Sequence, residues 1–322
     1  MEKKFDVVAL GELLIDFTQN GLSDQGNYLF EANPGGAPAN VLAMLRKLGK
    51  KCAFLGKVGE DNFGNILAKT VSEAGVDITG LRRDKQVHTT LAVVHTFPNG
   101  DRDFSFYRKP GADINLTVEE LDRDALAGCR IFHFGTLSLT DEPVRSATKE
   151  AVRLAKASGA LISFDPNLRP PLWEREEDAK EAIRWGMERC DILKISDNEV
   201  EFMTGLTDFD QAADLFKSQF PNLKLVCITA GGDGSHAYLG SWKVFEPACT
   251  LGGVIETTGA GDTFCASMLN YVLEHSLEGL TEGDLHQMLR FANTAAYIVT
   301  TKKGAIRSMP EREQVEELLK KI

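Results

Sequence analysis

The feature that most constrains the fold is an alternation of short apolar runs with helical periods. The apolar runs are only about four residues long, as expected for parallel strands buried on both faces, and they occur at 7–10, 52–55, 131–134, 161–164, 192–195 and 225–228. Apolar residues spaced at i, i+3, i+4 and i+7 lie between them, at 41–48, 145–157 and 176–189. The sequence therefore predicts an α/β fold with a doubly wound, mostly parallel sheet flanked by helices.

Two stretches break this alternation. Residues 89–97 alternate in side-chain type and are followed by the turn signal Asn99-Gly100 and then FSFYR, which predicts an antiparallel hairpin. Residues 12–33 are too long for a simple strand-to-helix loop, so we expect further strands there. Because open α/β sheets bind ligands at the carboxyl ends of their strands, insertions at about 12–33 and 87–112 are expected to form a small β lid over that edge. A surface hairpin without a functional role is the alternative. No linker interrupts the chain, and residues 1–322 are expected to form a single domain.

Charge and cysteine usage restrict the partners. The chain has 47 acidic and 36 basic residues, a net charge of -11, and no long basic run. These features argue against nucleic acid or a membrane as the partner and favour a small molecule. Six cysteines are scattered without a CxxC pair, and the first residues contain no apolar stretch typical of a signal peptide. We therefore expect a cytoplasmic location.

A glycine-rich motif, ETTGAGDTF at 256–264, carries the clearest chemistry. Small residues at Gly259, Ala260 and Gly261 follow an expected strand end at 254–255 and precede a helical period, so their amides could bind an anion. Asp262 would repel that anion unless it has its own role, such as accepting a proton. No GxxxxGK[ST] motif is present, and Phe264 occupies the place of the third glycine of GxGxxG. Phosphoryl transfer to an alcohol is thus favoured over a P-loop or a dehydrogenase site, with a plain capped helix start as the alternative.

A second glycine pair suggests a site for a polar, uncharged ligand. Gly35 and Gly36 precede a helix whose first turn contains Pro38 and Asn40, so backbone and amide donors could meet the ligand there. Asp16, just after the first strand, adds a carboxylate that can accept hydrogen bonds from sugar hydroxyls, although a lone Asp more often caps a loop.

These motifs together resemble those of the ribokinase-like, or phosphofructokinase-B-type, carbohydrate kinases. PGGAPANVLAMLRKLGKKCAFLGKVGEDNFG at 34–64 is similar to the first family signature, and ETTGAGDTF is similar to the second. Further segments of the resemblance, which covers nearly the whole chain, are FDPNLR, KISDNE, ITAGGDG and FANTAAYIVTTKKGA. Within the family, GGAPAN and FYRKPGAD are most similar to fructokinases. The resemblance implies a ribokinase-like fold with a β lid.

The resemblance also implies roles for individual residues. Asp262 would accept the proton of the acceptor hydroxyl, and the amides around Gly259, Ala260 and Gly261 would stabilise the transferring phosphoryl group. The sugar site would comprise Asp16, Gly35, Gly36 and Asn40, with Arg108 and Arg169 as further ligands of sugar or phosphate. ATP would contact Lys194, Thr229, Gly231, Gly234 and Asn293.

The resemblance extends to metal ions. Glu199 would bind Mg²⁺ through water, although Ser196 stands where the family motif has Asn. Glu256 occupies a position that is often Asp in relatives binding a monovalent cation. With Ser308 and the carbonyls near Lys302 and Gly304, it defines a candidate K⁺ site.

The activity implied by the resemblance is ATP-dependent phosphorylation of the 6-hydroxyl of D-fructose. One alternative is a 2-keto-3-deoxygluconate kinase, because an aromatic and arginine pair in the lid could equally bind a sugar acid. Another, of a different class, is a non-catalytic sugar-binding regulator. Exposed lid strands need cover, so we expect a homodimer formed through the lid.

Overall fold

Strands and helices alternate along the chain. The computed structural model describes residues 3–96 and 102–322. Within these residues the strands are β1 (Phe5–Leu10), β2 (Leu14–Leu22), β3 (Tyr28–Gly35), β4 (Cys52–Gly59), β5 (Leu81–Asp84), β6 (Leu91–Thr96), β7 (Arg102–Tyr107), β8 (Cys129–Phe134), β9 (Leu161–Phe164), β10 (Ile192–Ser196), β11 (Leu225–Thr229), β12 (Ser235–Leu239) and β13 (Trp242–Glu246). The α-helices are α1 (Ala37–Lys47), α2 (Asn62–Glu73), α3 (Arg123–Ala127), α4 (Val144–Ala157), α5 (Glu176–Met187), α6 (Asp197–Thr204), α7 (Phe209–Gln219), α8 (Ala260–His275), α9 (Glu282–Thr300) and α10 (Arg312–Leu319).

The main sheet has nine strands in the order β13-β12-β11-β10-β9-β8-β1-β4-β5. From β11 to β5 neighbouring strands are parallel, whereas β12 and β13 form an antiparallel hairpin at one edge. This arrangement confirms the predicted mostly parallel sheet and its six predicted strands. The edge hairpin was not predicted, because its sequence, SHAYLGSWKVFE, is half polar and lacks the continuous apolar run of a buried strand.

Two hydrophobic layers cover the sheet, one on each face. Along β1, Val7 and Ala9 pack into one layer and Val8 and Leu10 into the other, as the alternation of side chains along a strand requires. Helices α1, α2, α8, α9 and α10 bury their apolar faces in the first layer, and α3 to α7 in the second. A sheet covered on both faces exposes its functional groups chiefly at the ends of its strands.

A second sheet of four strands has the order β3-β2-β6-β7. Strands β2 and β6 are parallel, whereas the β2–β3 and β6–β7 pairs are antiparallel. Strands in the segments 12–33 and 87–112 were predicted, as was the antiparallel pairing after residue 89. The turn predicted at Asn99-Gly100 lies outside the described residues.

One local prediction was wrong. Val254 and Ile255, expected to end a strand, lie in an irregular segment, and both side chains are more than half exposed. Gly252 and Gly253 just before them have positive φ angles of 80° and 72°, which prevent extended backbone there. Ile255 instead donates a single backbone hydrogen bond to the carbonyl of Thr300. Separately, no helix in the described part of the chain is long and apolar enough to cross a membrane.

Candidate active site

A cavity of about 280 Å³ lies between the carboxyl edge of the main sheet and the second sheet. Val94 of β6 and Phe106 of β7 contribute to its wall, so the second sheet borders the cavity, and its action as a lid stays a prediction. The predicted sugar and catalytic residues that line it are Asp16, Gly36, Asn40, Arg169, Gly259, Gly261 and Asp262, and the predicted cation ligand Glu256 lines it as well. The structure therefore brings together residues that are more than 240 positions apart in sequence.

The start of α8 forms one end of this cavity. Gly259 precedes the helix with φ 79°, and a Cβ placed on it would lie 2.9 Å from the Cβ of Ala305, so only glycine fits without displacement. The amide of Ala260 donates to the Thr257 carbonyl at 3.2 Å. Those of Gly261 and Asp262 are therefore the donors that the helix start offers to an anion.

Asp262 lies in the first turn of α8 and faces Asn40 of α1. Asn40 Nδ2 donates to Asp262 Oδ2 at 2.8 Å. Burial raises the pKa of Asp262 to about 6, against the lowering effect of the Asn40 hydrogen bond, and the nearby carboxylate of Asp165 raises it further. A carboxylate with a pKa just below neutrality is ionised at physiological pH and still basic enough to accept a proton.

Lys194 brings a positive charge to the same helix start. Its Nζ lies 3.1 Å from Asp165 Oδ2, and a Cβ added to Gly261 would lie only 3.2 Å from this ammonium group. Burial alone would lower the pKa of Lys194, but the carboxylates of Asp165 and Glu199 outweigh it and the pKa is raised. The side chain is thus a permanent cation where a transferring phosphoryl group would carry negative charge.

Asp16 of β2 also lines the cavity. Burial raises its pKa to about 7, Arg169 opposes this effect, and Glu256 and Asp262 reinforce it. A Cβ on Gly35 would lie 2.5 Å from Asp16 Oδ2, and one on Gly36, at φ 127°, would lie 2.3 Å from the carbonyl oxygen of Glu12. The glycine pair therefore lets the start of α1 approach the β2 carboxylate closely.

The two predicted arginines differ in their surroundings. Arg169 lines the cavity, and its Nη1 donates to the carbonyl of Leu168 at 3.1 Å. Arg108 is buried and is not among the lining residues in the described part of the chain. Its Nε donates to Asp113 Oδ2 at 2.8 Å, Nη1 to Thr140 Oγ1 at 2.9 Å and Nη2 to the Leu137 carbonyl at 2.7 Å. This bonding favours a role in anchoring the end of β7 over direct contact with a sugar.

A second cavity of about 440 Å³ adjoins the first, and Thr257 and Gly261 line both. Four of the five predicted ATP residues line it: Thr229, Gly231, Gly234 and Asn293. The fifth, Lys194, lines the first cavity instead. The α8 start thus separates a polar, acidic cavity from a more apolar one.

Asn293 supports the wall of the second cavity. Ser235 Oγ donates to Asn293 Oδ1 at 2.8 Å, and Asn293 Nδ2 donates to the carbonyls of Glu246 and Pro247, each at 3.1 Å. A Cβ on Gly234 would lie 2.3 Å from the Glu246 carbonyl oxygen. These contacts hold the segment after β13 against α9, and they occupy the amide predicted to contact ATP.

Glu199 is buried at the start of α6 and lines neither of the two cavities. Its Oε2 accepts the amide of Ser196 at 2.8 Å and its Oε1 accepts the amide of Leu168 at 2.7 Å. Ser196 Oγ in turn accepts the Glu199 amide at 3.4 Å, which completes a capping box. Ser196, at the place of the motif's Asn, therefore caps the helix.

Glu256 and Ser308 both contact the turn after α9. Glu256 Oε1 accepts the Gly304 amide at 2.8 Å, and Ser308 Oγ donates to the carbonyl of Lys303. Glu256 lines the first cavity, whereas Ser308 is buried and does not line it. The two predicted cation ligands are thus attached to one loop.

Sequence reasoning missed two acidic residues. Glu12 lines the first cavity, and Asp165 forms the ion pair with Lys194. Asp165 directly follows the carboxyl end of β9, and Glu12 lies two residues after the carboxyl end of β1. Both are therefore at the sheet edge where parallel α/β proteins bind their ligands. That position, rather than any local motif, is the signal that could have identified them.

Comparisons with known proteins agree with this geometry. The model of the pfkB family carbohydrate kinases matches residues 4–312. The chain is 41% identical to Fructokinase-2 of Solanum lycopersicum, over 98% of this chain and 96% of that protein. The crystal structure of fructokinase with bound ATP from Xylella fastidiosa superposes with a TM-score of 0.88 at 29% identity, covering 98% of each chain.

A second solved structure, of fructokinase from Vibrio cholerae O395 in a form with bound fructose, ADP and calcium ion, gives a TM-score of 0.86 at 28% identity. It covers 98% of this chain and 99% of that one. The fold is thus ribokinase-like, and the matched residues span almost the whole sequence. This chain belongs to the pfkB family of carbohydrate kinases.

Proposed function

We propose that this protein is an ATP-dependent fructokinase that transfers the γ-phosphoryl group of ATP to the 6-hydroxyl of D-fructose. The observation that carries the proposal is the position of Asp262. It lies on the helix start that separates two cavities, one polar and acidic and one more apolar, which suit a sugar and a nucleotide respectively. The similarity of this chain to the fructokinases of Solanum lycopersicum and Xylella fastidiosa supports the same activity.

In the proposed reaction the sugar occupies the first cavity with its 6-hydroxyl at Asp262. Asp262 accepts the hydroxyl proton as the sugar oxygen bonds to the γ-phosphorus, and the bond between that phosphorus and the β,γ-bridging oxygen breaks to release ADP. The amides of Gly261 and Asp262 and the ammonium of Lys194 stabilise the negative charge of the phosphoryl group. Asn40 orients the base, and Asp16 accepts hydrogen bonds from other sugar hydroxyls.

Mg²⁺ is part of the proposal, and the residues fit an ion held chiefly by the ATP phosphates and water. In the described residues no group of three or more acidic, His or Cys side chains is placed so that it could hold a metal ion together. Each oxygen of Glu199 accepts one backbone amide and retains a lone pair for a metal-bound water. The ion would neutralise charge on the phosphates.

A neutral sugar fits the first cavity better than a sugar acid. Four carboxylates line it, Glu12, Asp16, Glu256 and Asp262, against the cations Arg169 and Lys194. Lys194 already pairs with Asp165, and Arg108, the other candidate for binding a sugar carboxylate, pairs with Asp113. This balance favours fructose over 2-keto-3-deoxygluconate.

A monovalent cation next to the α8 start is a second part of the proposal. Glu256 has one oxygen on the Gly304 amide, and the carbonyls of the same loop are oxygen ligands suited to K⁺. Replacing K⁺ by tetramethylammonium in the assay should then lower turnover. Equal rates in the two salts would remove this ion from the account.

We also propose a cytoplasmic homodimer formed through the lid. Five large apolar side chains of the second sheet are 42–66% exposed: Leu22, Tyr28, Leu29, Phe30 and Tyr107. They lie mostly on its edge strands β3 and β7, where a second copy could cover them.

The six free cysteines support the cytoplasmic location, because thiols stay reduced in a reducing compartment. For the dimer, the test is the mass in solution. Light scattering should give twice the chain mass, and a monomer mass at all concentrations would refute the dimer.

The function is tested by ADP release from Mg-ATP with D-fructose, 2-keto-3-deoxygluconate, D-ribose and adenosine as acceptors. We expect a clear preference for fructose. A preference for the acid would keep the kinase mechanism and change the substrate. Sugar binding without ADP formation in a folded sample would instead indicate a regulator.

A further inference from the structure

Among the described residues that line the first cavity, Glu12 is the buried acid to which the proposed reaction assigns no role. It lies in the short connection between β1 and β2 and is 4% exposed, yet it lines the cavity. Its Oε1 accepts the amide of Ala37, the first residue of α1, at 2.7 Å. One oxygen therefore fixes the carboxylate against the helix that carries Asn40.

The Glu12 carboxylate has further acceptor capacity. Besides the Ala37 amide, its own backbone amide donates to it, and neither of its oxygens is among the enclosed, unpartnered atoms of the described residues. Because Glu12 lines the cavity, the lone pairs that remain are available to a ligand there. An acceptor fixed in this way can receive a hydrogen bond from a ligand hydroxyl without losing side-chain entropy.

The charge of Glu12 is not cancelled by an ion pair in the described part of the chain. Arg108 is the cation with the largest effect on it, but that guanidinium donates to Asp113, Thr140 and the Leu137 carbonyl. Burial already raises the pKa of Glu12 to about 7. A ligand carboxylate beside it would therefore force one of the two acids to take up a proton.

We propose that Glu12 determines substrate specificity, because its carboxylate accepts a hydrogen bond from a hydroxyl of a neutral ketohexose and excludes sugar acids. This inference rests on the proposed fructokinase activity. It predicts that removing the charge, while keeping the shape of the side chain, admits a carboxylated sugar to the same cavity.

The test compares Glu12→Gln with the unchanged protein on D-fructose and 2-keto-3-deoxygluconate. The amide oxygen of Gln can still accept the Ala37 amide, so the substitution changes chiefly the charge. We expect the ratio of kcat/KM for fructose to that for the acid to fall by about tenfold or more, with the KM for ATP unchanged. Glu316→Gln, at an exposed position of α10, makes the same change in net charge and should leave the ratio unaltered.

The ratio of the kcat/KM values for two substrates does not change when part of the protein unfolds, because unfolding lowers both rates equally. Glu12→Asp gives a second measurement: the charge stays but its reach shortens, so the rate with fructose should fall while the acid remains excluded. An unchanged ratio in Glu12→Gln would overturn the inference and leave the fructokinase proposal intact. Failure of the unchanged protein to phosphorylate fructose would instead refute the proposed function itself.

Discussion

Asn40 Nδ2 donates a hydrogen bond of 2.8 Å to Oδ2 of Asp262, across 222 residues of sequence. Each residue lies in the first turn of its own helix, α1 or α8, and each helix follows a glycine with positive φ, Gly36 or Gly259. The contact therefore joins the two glycine motifs, and it orients the proposed base toward the sugar cavity.

Two substitutions at Asn40 should distinguish its effect on the orientation of Asp262 from its effect on the charge of Asp262. Asn40→Ala removes the donor, and we expect kcat/KM for fructose to fall by about 10- to 100-fold. Asn40→Asp places a like charge beside Asp262, which should raise the pKa of Asp262 further and move the acidic limb of the pH profile upward by about one unit. Steady-state kinetics across pH distinguish the two effects. Normal rates and an unshifted profile in both variants would show that the contact has no role in catalysis.

The pH dependence of the unchanged enzyme follows from the ionisation of its base. Asp262 must be deprotonated to accept a proton, and burial raises its pKa to about 6. The value of kcat/KM for fructose should therefore be constant above neutrality and fall tenfold per pH unit well below pH 6. Rates measured at saturating Mg-ATP from pH 4.5 to 8.5 test this expectation. A profile that stays flat to pH 4.5 would argue against a raised pKa.

Asp16 should make the enzyme less stable as the pH rises. Burial raises its pKa to about 7 in the folded protein from the ordinary value of 3.8. A raised carboxyl pKa means that the folded state binds more protons than the unfolded chain, so stability declines between about pH 4 and pH 7. Asp16→Asn removes the buried charge and should raise the free energy of unfolding by about 1–3 kcal/mol at pH 8 while activity is lost. Thermal unfolding at pH 5 and pH 8 gives the comparison, and a gain of the same size at both values would exclude this cause.

Neighbouring glycines allow a matched test of the second cavity. Gly234 has φ 122°, and a Cβ there would lie 2.3 Å from the Glu246 carbonyl oxygen, whereas a Cβ on Gly232 would meet nothing within 4 Å. Gly234→Ala should therefore raise the KM for ATP about tenfold or lower stability by about 1–3 kcal/mol. Gly232→Ala should change neither, and similar effects in both variants would contradict the packing argument.

The role of a motif residue could be predicted where the residue type itself determines both the backbone conformation and the close contact. Gly259 and Gly36 were identified because small residues before a helical period allow close approach, and the structure shows contacts that a Cβ would block at both. The buried parallel strands were predicted because their sequences are continuously apolar. The hairpin β12–β13 was not, since its strands lack a continuous apolar run, and β13 lies at the sheet edge with Lys243 and Phe245 exposed.

Contacts between distant segments could not be read from local sequence. The burial of Arg108 depends on Asp113, Thr140 and Leu137, which only the folded chain brings together. In the same way, the position of Glu12 after β1 indicates the sheet edge, but not that residues 256–262 line the same cavity. Side-chain chemistry was predictable from residue type, and its environment was not.

Asp262→Asn tests the central claim most directly. The amide keeps the size of the side chain but cannot accept the hydroxyl proton, so a single-turnover reaction with D-fructose and Mg-ATP should slow by about 10²–10⁴-fold. Calorimetric titration should show that fructose and ATP still bind with nearly unchanged affinity. Retention of more than a tenth of the normal rate by a correctly folded variant would contradict the assignment of Asp262 as the base.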